Sequence, residues 1–209
     1  MRPRYRGVLH LVALPLALAA GLALTALAPT VEARLATAVF TATSACLFGV
    51  SALYHRSHVS PAAALRLKRL DHANIYLAIA GTYTPVAALA LSGTTRTVIL
   101  AVVWAGAGAG VVFRVFWPGA PRALYTGLYI ALGWTILPVL PALVDSAGTL
   151  PVALLLAGGV LYTLGAVVYA RKSPDPVPDV FGFHEVFHAF TVAAWAAQFS
   201  AVALVVSGL

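Results

Sequence analysis

The sequence predicts an all-α, polytopic membrane protein, a bundle of seven transmembrane helices with its N-terminus in the cytoplasm and its C-terminus outside. Three observations lead there. The 209-residue chain is 61% hydrophobic and only 9% charged, where a soluble domain carries about 25% charged residues. Apolar stretches of the roughly 20 residues that cross a hydrocarbon core as helix recur along the whole length. Lys and Arg are divided unevenly between alternate connections.

The first span, Val8 to Ala28, follows Arg2, Arg4 and Arg6. Ala26-Leu27-Ala28 has the small residues of a signal-peptide cleavage site, but the apolar run exceeds the roughly 7 to 15 residues of a signal core. Pro29 would also follow the cut, so a retained helix is expected. The second span, Ala36 to Tyr54, holds the single cysteine, Cys46, which can form no intrachain disulfide and is expected as a small buried apolar residue. The third runs from His72 to Leu91 and the fourth from Val98 to Phe116. In the fourth, Gly106, Gly108 and Gly110 alternate with alanine; no strand precedes them and no acidic ribose ligand follows, so they read as close helix-packing positions rather than a dinucleotide loop. The fifth is Ala123 to Val144, the sixth Leu150 to Ala170 and the seventh Phe183 to Val206. Pro85, Pro138 and Pro141 fall inside spans and are expected to kink them. The spans nearly exhaust the sequence, so a single transmembrane domain is expected over 1–209.

Orientation follows from the basic residues. The N-terminus and the even-numbered connections hold Arg2, Arg4, Arg6, Arg56, Arg66, Lys68, Arg69, Arg114, Arg122, Arg171 and Lys172, against Arg34 and Arg96 in the odd ones. That is a positive-inside pattern. The net charge of +7 is thereby assigned to topology and anionic lipid headgroups, and no nucleic-acid partner is expected.

Ionisable residues at membrane depth cost about 2.5 to 3.5 kcal/mol each at a helix centre, so each is a functional candidate. Here they cluster: Ser51 and His55 close the second span, Asp71 and His72 open the third, and His184, Glu185 and His188 open the seventh. All fall at the cytoplasmic ends, although the orientation was derived from Lys and Arg alone. His184 and His188 lie one helical turn apart, about 5 to 6 Å between Cβ atoms, so both can reach one ion. With His55 they supply three nitrogens to a tetrahedral zinc and leave one position open, as in catalytic sites. Ser51 sits one turn from His55 on the same face, and Asp71 enters at a similar depth. His72 points about 100° away from Asp71 around the helix. His10 and His58 read as interfacial. Glu185 faces away from the histidine pair, although in soluble metalloproteases with H-E-x-x-H that glutamate is the general base. The tryptophans Trp104, Trp134 and Trp195 read as packing residues.

These motifs, S-x-x-x-H at Ser51 and His55, the run from Arg69 through Asp71 and His72 to Pro85, and H-E-x-x-H at His184 to His188, resemble those of bacterial hemolysin III proteins. That family lies within the superfamily of progestin and adipoQ receptors and is similar to alkaline ceramidases. The resemblance covers nearly the whole chain and implies a bacterial plasma-membrane location. It implies Zn2+ held by His55, His184 and His188, with Asp71 near the zinc-bound water and Ser51 as the motif serine. Only about seven residues precede the first span, unlike the receptors, so receptor-type ligand responses are not expected.

The function implied is zinc-dependent hydrolysis of an acyl, amide-type bond in a membrane lipid, with Asp71 as proton acceptor and donor and Ser51 as oxyanion donor. Membrane lipids are then the partners and free fatty acid the product, in a cleft where Gly106 and Gly110 are expected to leave room. Three alternatives stand beside it: a non-enzymatic sensor with structural zinc, an intramembrane protease using Glu185, and a lytic, cytolysis-type protein. A channel would need polar residues along one face of several spans, whereas here they cluster at one end, and a zinc transporter would need acids and histidines near the midplane, of which the outer halves offer none. Neither the lipid nor the oligomeric state is legible in the residues.

Overall fold

The structure is a computed structural model that describes residues 3–208; Arg2, counted above with the N-terminal basic flank, lies outside them. The elements are α1 (Val8–Leu27), α2 (Val31–Arg56), α3 (Pro61–Ala90), α4 (Gly93–Phe116), α5 (Arg122–Gly133), α6 (Leu140–Ala147), α7 (Thr149–Arg171) and α8 (Phe183–Ser207). Seven helical stretches among the described residues are long and apolar enough to cross a membrane, α5 and α6 counting together as one. No strand occurs among the described residues.

Local chemistry sets the helix ends. Thr30 and Ser60 cap α2 and α3, their hydroxyls accepting from the backbone N–H groups of Ala33 and Ala63, and Pro61 occupies the first turn of α3, where its missing N–H is not needed. The third helix therefore starts well before His72. Its first turns carry Arg66, Lys68 and Arg69, which end the apolar pattern without ending the helix. The fifth span is broken instead of merely kinked: α5 stops at Gly133 and a 3-10 turn, Leu137–Val139, contains Pro138 before α6 begins. Proline removes a backbone donor and clashes with the preceding turn. Pro85, by contrast, lies within continuous α3.

Neighbouring helices pack in chain order, α1 on α2, α2 on α3 and α3 on α4, while α7 lies along α8 and α8 returns to α1. α3 also touches α5, α6 and α8, so it is the central helix. With no water to exclude between lipid-embedded helices, close backbone approach carries the packing. A Cβ added at Gly110 would collide with the Tyr76 ring, and one at Gly106 with Leu132. Those glycines are filled by neighbouring helices; the expectation that they leave room for an acyl chain is therefore incorrect. Leu11, Leu16, Leu22, Val102 and Val112 are among the large apolar side chains left on the outside, as a lipid-facing surface requires, and Cys46, expected in the interior, is exposed on this outside as well. The inner hydroxyls Thr37, Thr41 and Thr43 of α2 donate to carbonyls of their own helix. The indole N–H groups of Trp104, Trp134 and Trp195 donate to Thr84, Thr163 and Ser44.

Candidate metal centre

The start of α1, the end of α2 and the starts of α3 and α8 meet at one end of the bundle. Gly7 makes the first meeting possible: its φ of +78° is a left-handed conformation open to glycine, and a Cβ there would lie 2.6 Å from His55 Cβ. The N-terminal segment continues across this end, with Arg4 and Tyr5 N–H donating to the carbonyls of Asp179 and Val180 in the α7–α8 connection.

The beginning of α8 is set by Glu185. One carboxylate oxygen accepts from the Gly182 backbone N–H at 2.9 Å, and the other accepts from Arg6 Nε–H. The side chain is 1% exposed. Both oxygens of this glutamate are thus committed to capping the helix and holding the N-terminal segment. This answers the metalloprotease reading: the motif glutamate acts as a helix cap and clasp.

With α8 so anchored, His184 and His188 project one turn apart toward α2. His184 Nε2 lies 3.1 Å from His55 Nε2, and one nitrogen from each of His55, His184 and His188 falls within 4.8 Å of the others. Tetrahedral ligands at the usual zinc–nitrogen distance are about 3.3 Å apart, so the closest pair already has the spacing of two ligands on one ion. His188 Nδ1 is buried without a hydrogen-bond partner among the described residues. Imidazole donors suit zinc, copper, iron and nickel alike. The residues present fit a metal ion of that group.

The Asp71 carboxylate lies 4.0 Å from His55 Nε2, beside the histidine cluster. Ser51 is 1% exposed and faces Asp71. Its hydroxyl is turned to the Asp71 carboxylate without a close, well-aligned bond to it, whereas Thr37, Thr41 and Thr43 on the same helix bond back to their own carbonyls.

The stack of His10 on His188 and the contacts of His72 with Arg114 and Tyr169 were not legible from spacing. His10, read from sequence as interfacial, is buried at 2% exposure and stacks on His188, ring centroids 3.7 Å apart. His72 turns away from the cluster, as the helical angle predicts, and bridges Arg114 NH2 to the Tyr169 hydroxyl at 3.2 Å each. Because a guanidinium only donates, His72 Nδ1 accepts, and the neutral ring donates Nε2–H to Tyr169. Tyr125 O–H donates to the same Tyr169 oxygen, which leaves the Tyr169 proton free for another acceptor. His58 is exposed in the α2–α3 connection.

Two cavities meet here. One, of about 110 Å³, has Ser51, Asp71, His184 and His188 at one end and extends inside the bundle past Ile75 and Ile79 to Gln198. From His184 to Gln198 along α8 is about 21 Å. The other, of about 380 Å³, is lined by polar groups including Lys68, Arg114 and Arg122. Asp71, His72, Tyr169 and His184 line both.

Comparison with known proteins finds likeness over most of the chain. A family profile described as Haemolysin-III related matches residues 1–199. The chain is 33% identical to Hemolysin-3 of Bacillus cereus over 174 residues, covering 83% of this chain and 76% of that one. It is 32% identical to the Hemolysin-3 homolog of Bacillus subtilis (strain 168) over 136 residues, covering 65% of this chain and 61% of that protein.

Proposed function

Since the chain belongs to the haemolysin-III related family and is a multi-pass membrane protein of bacterial type, we propose that it is a zinc-dependent hydrolase of an acyl, amide-type bond in a membrane lipid. The observation that carries the reading is the junction of the two cavities. A polar chamber and an apolar passage share Asp71 and His184, so an amphiphile with its headgroup in one and its chain in the other would present the bond between them to the histidine cluster. The basic residues favour a cytoplasmic position for this end.

His55, His184 and His188 would hold the ion. The chemistry a zinc ion supplies when so bound is Lewis-acid activation of water, whose pKa falls to about 7. Asp71 accepts the proton of the attacking water as the carbon–oxygen bond forms, and returns it to the leaving nitrogen as the carbon–nitrogen bond breaks. Ser51 O–H, which lies beside Asp71, donates to the carbonyl oxygen as negative charge gathers there. Fatty acid and amine leave as products.

A second reading is supported by the same triad: it joins α2 to α8, as a structural metal in a sensor-like protein would. The names of the relatives suggest lysis, yet the polar groups gather at one end, where a pore would need them along its length. Purified protein, analysed for metal and incubated with acyl-amide and ester lipids, separates the readings. One equivalent of zinc with fatty-acid release supports the hydrolase; zinc with no release from any lipid, and an Asp71→Asn variant equal to wild type in cells, favours the structural role.

A further inference from the structure

The polar chamber has a charge problem. Lys68, Arg114 and Arg122 line it together with Arg6, whose charge is answered by Glu185, and the acid facing them is Asp71. Among the described residues, none of Lys68, Arg114 and Arg122 forms an ion pair. Membrane topology accounts for basic side chains at the surface of this end. It does not account for Arg114, which is 1% exposed.

The guanidinium of Arg114 is held in place by neutral groups. It donates to the Trp117 carbonyl at 3.3 Å, the Pro118 carbonyl at 3.5 Å and His72 Nδ1 at 3.2 Å. Its plane sits 4.2 Å over the Tyr125 ring, and its buried Nε–H has no acceptor. Carbonyls and an aromatic face orient a cation but leave its charge unanswered, and burying an unpaired charge is costly. Arg122 is fixed in the same manner, donating to the Tyr169 carbonyl at 3.0 Å and lying 4.5 Å over the Tyr169 ring. The start of α5 opens beside them: Gly119 and Ala120 line the chamber, and no side chain caps this helix. The start of a helix without a side-chain cap favours an anion.

Two preset guanidiniums, a lysine and an uncapped helix start around one cavity fit a multiply charged tetrahedral oxyanion, for which the planar fork of Arg is the usual partner. We propose that the polar chamber is a phosphate-binding subsite, formed by Arg114, Arg122 and Lys68. The phosphate is carried on a lipid headgroup or arrives as free inorganic phosphate. On a lipid, the headgroup would occupy the chamber while the acyl linkage lies at the Asp71–His184 junction, which makes the substrate class a phosphate-bearing acyl lipid. That role rests on the hydrolase reading; the binding does not.

Binding is accordingly what the experiment reads. Full-length protein in maltoside detergent at constant ionic strength is titrated with inorganic phosphate, dihexanoyl phosphatidic acid or dihexanoylglycerol, and its Tm is followed. Dihexanoyl phosphatidic acid raises the Tm saturably and dihexanoylglycerol does not. A comparable rise with inorganic phosphate identifies the free ion as a sufficient source; a rise with the phosphatidic acid alone identifies the headgroup. Arg122→Gln and Lys68→Gln each weaken the response by about tenfold, the loss of one charged hydrogen bond, and Arg122→Lys recovers part of it. These half-buried positions keep the test valid if Arg114→Gln fails to fold. The rise persists in His188→Ala, a member of the histidine cluster that does not line the chamber, which separates the chamber from the metal. No saturable rise with either phosphate probe overturns the proposal. So does a rise that survives both Arg122→Gln and Lys68→Gln, or one that vanishes in His188→Ala alone, since the anion would then be ligating the metal.

Discussion

The imidazole of His10 lies flat against that of His188, with 3.7 Å between ring centroids and 8° between planes. The edge of Phe48 supports the first ring from the side, at 5.1 Å. His188 thus stands between a stacked ring from α1 and the two other histidines of the cluster, and its rotamer is set by packing. Loss of a group that orients a metal ligand typically costs about 10- to 100-fold in metal affinity.

His10→Ala should therefore weaken zinc binding by about tenfold or more, while His10→Phe, which keeps a flat ring, should retain most of it. Competition against a graded series of chelators on the purified protein measures this. Equal affinity in His10→Ala and wild type would show that the stack orients nothing.

His55→Ala, His184→Ala and His188→Ala should each lose stoichiometric zinc. Elemental analysis after gel filtration decides it. A full equivalent retained in any one of the three removes that residue from the ligand set.

Asp71→Asn should keep zinc and lose about 10²- to 10⁴-fold in hydrolysis, the usual worth of a positioned acid–base group. Ser51→Ala should lower kcat by about 10² with little change in KM, as removal of an oxyanion donor does.

Glu185→Ala should lower stability by about 2 kcal/mol through loss of the α8 cap and the Arg6 contact. Zinc stoichiometry should be retained. A Glu185→Gln protein that is fully folded, zinc-loaded and yet as inactive as Asp71→Asn would restore the glutamate to the role of general base.

Gly110→Ala should destabilise the bundle by about 1 to 3 kcal/mol, because the added methyl meets the Tyr76 ring between α3 and α4. Gly108→Ala, on the same helix with open space around it, should be close to neutral. Thermal unfolding of both variants in detergent makes the comparison.

The residues by themselves determined the class of this protein and the identity of its metal-capable histidines. Hydropathy reports transfer into lipid, which depends on composition over about 20 residues and little on tertiary detail. The pairing of His184 with His188 follows from helical periodicity alone. Tertiary structure decided what depends on contacts between helices distant in sequence. It gave Glu185 its partner Arg6, set Ser51 beside Asp71, brought His10 from α1 onto His188 and buried Arg114 beside His72. None of these has a local signature, because each is set by how side chains on separate helices meet once α3 takes the centre of the bundle. The same packing closed Gly106 and Gly110 to any ligand and opened instead the passage and chamber that share Asp71 and His184.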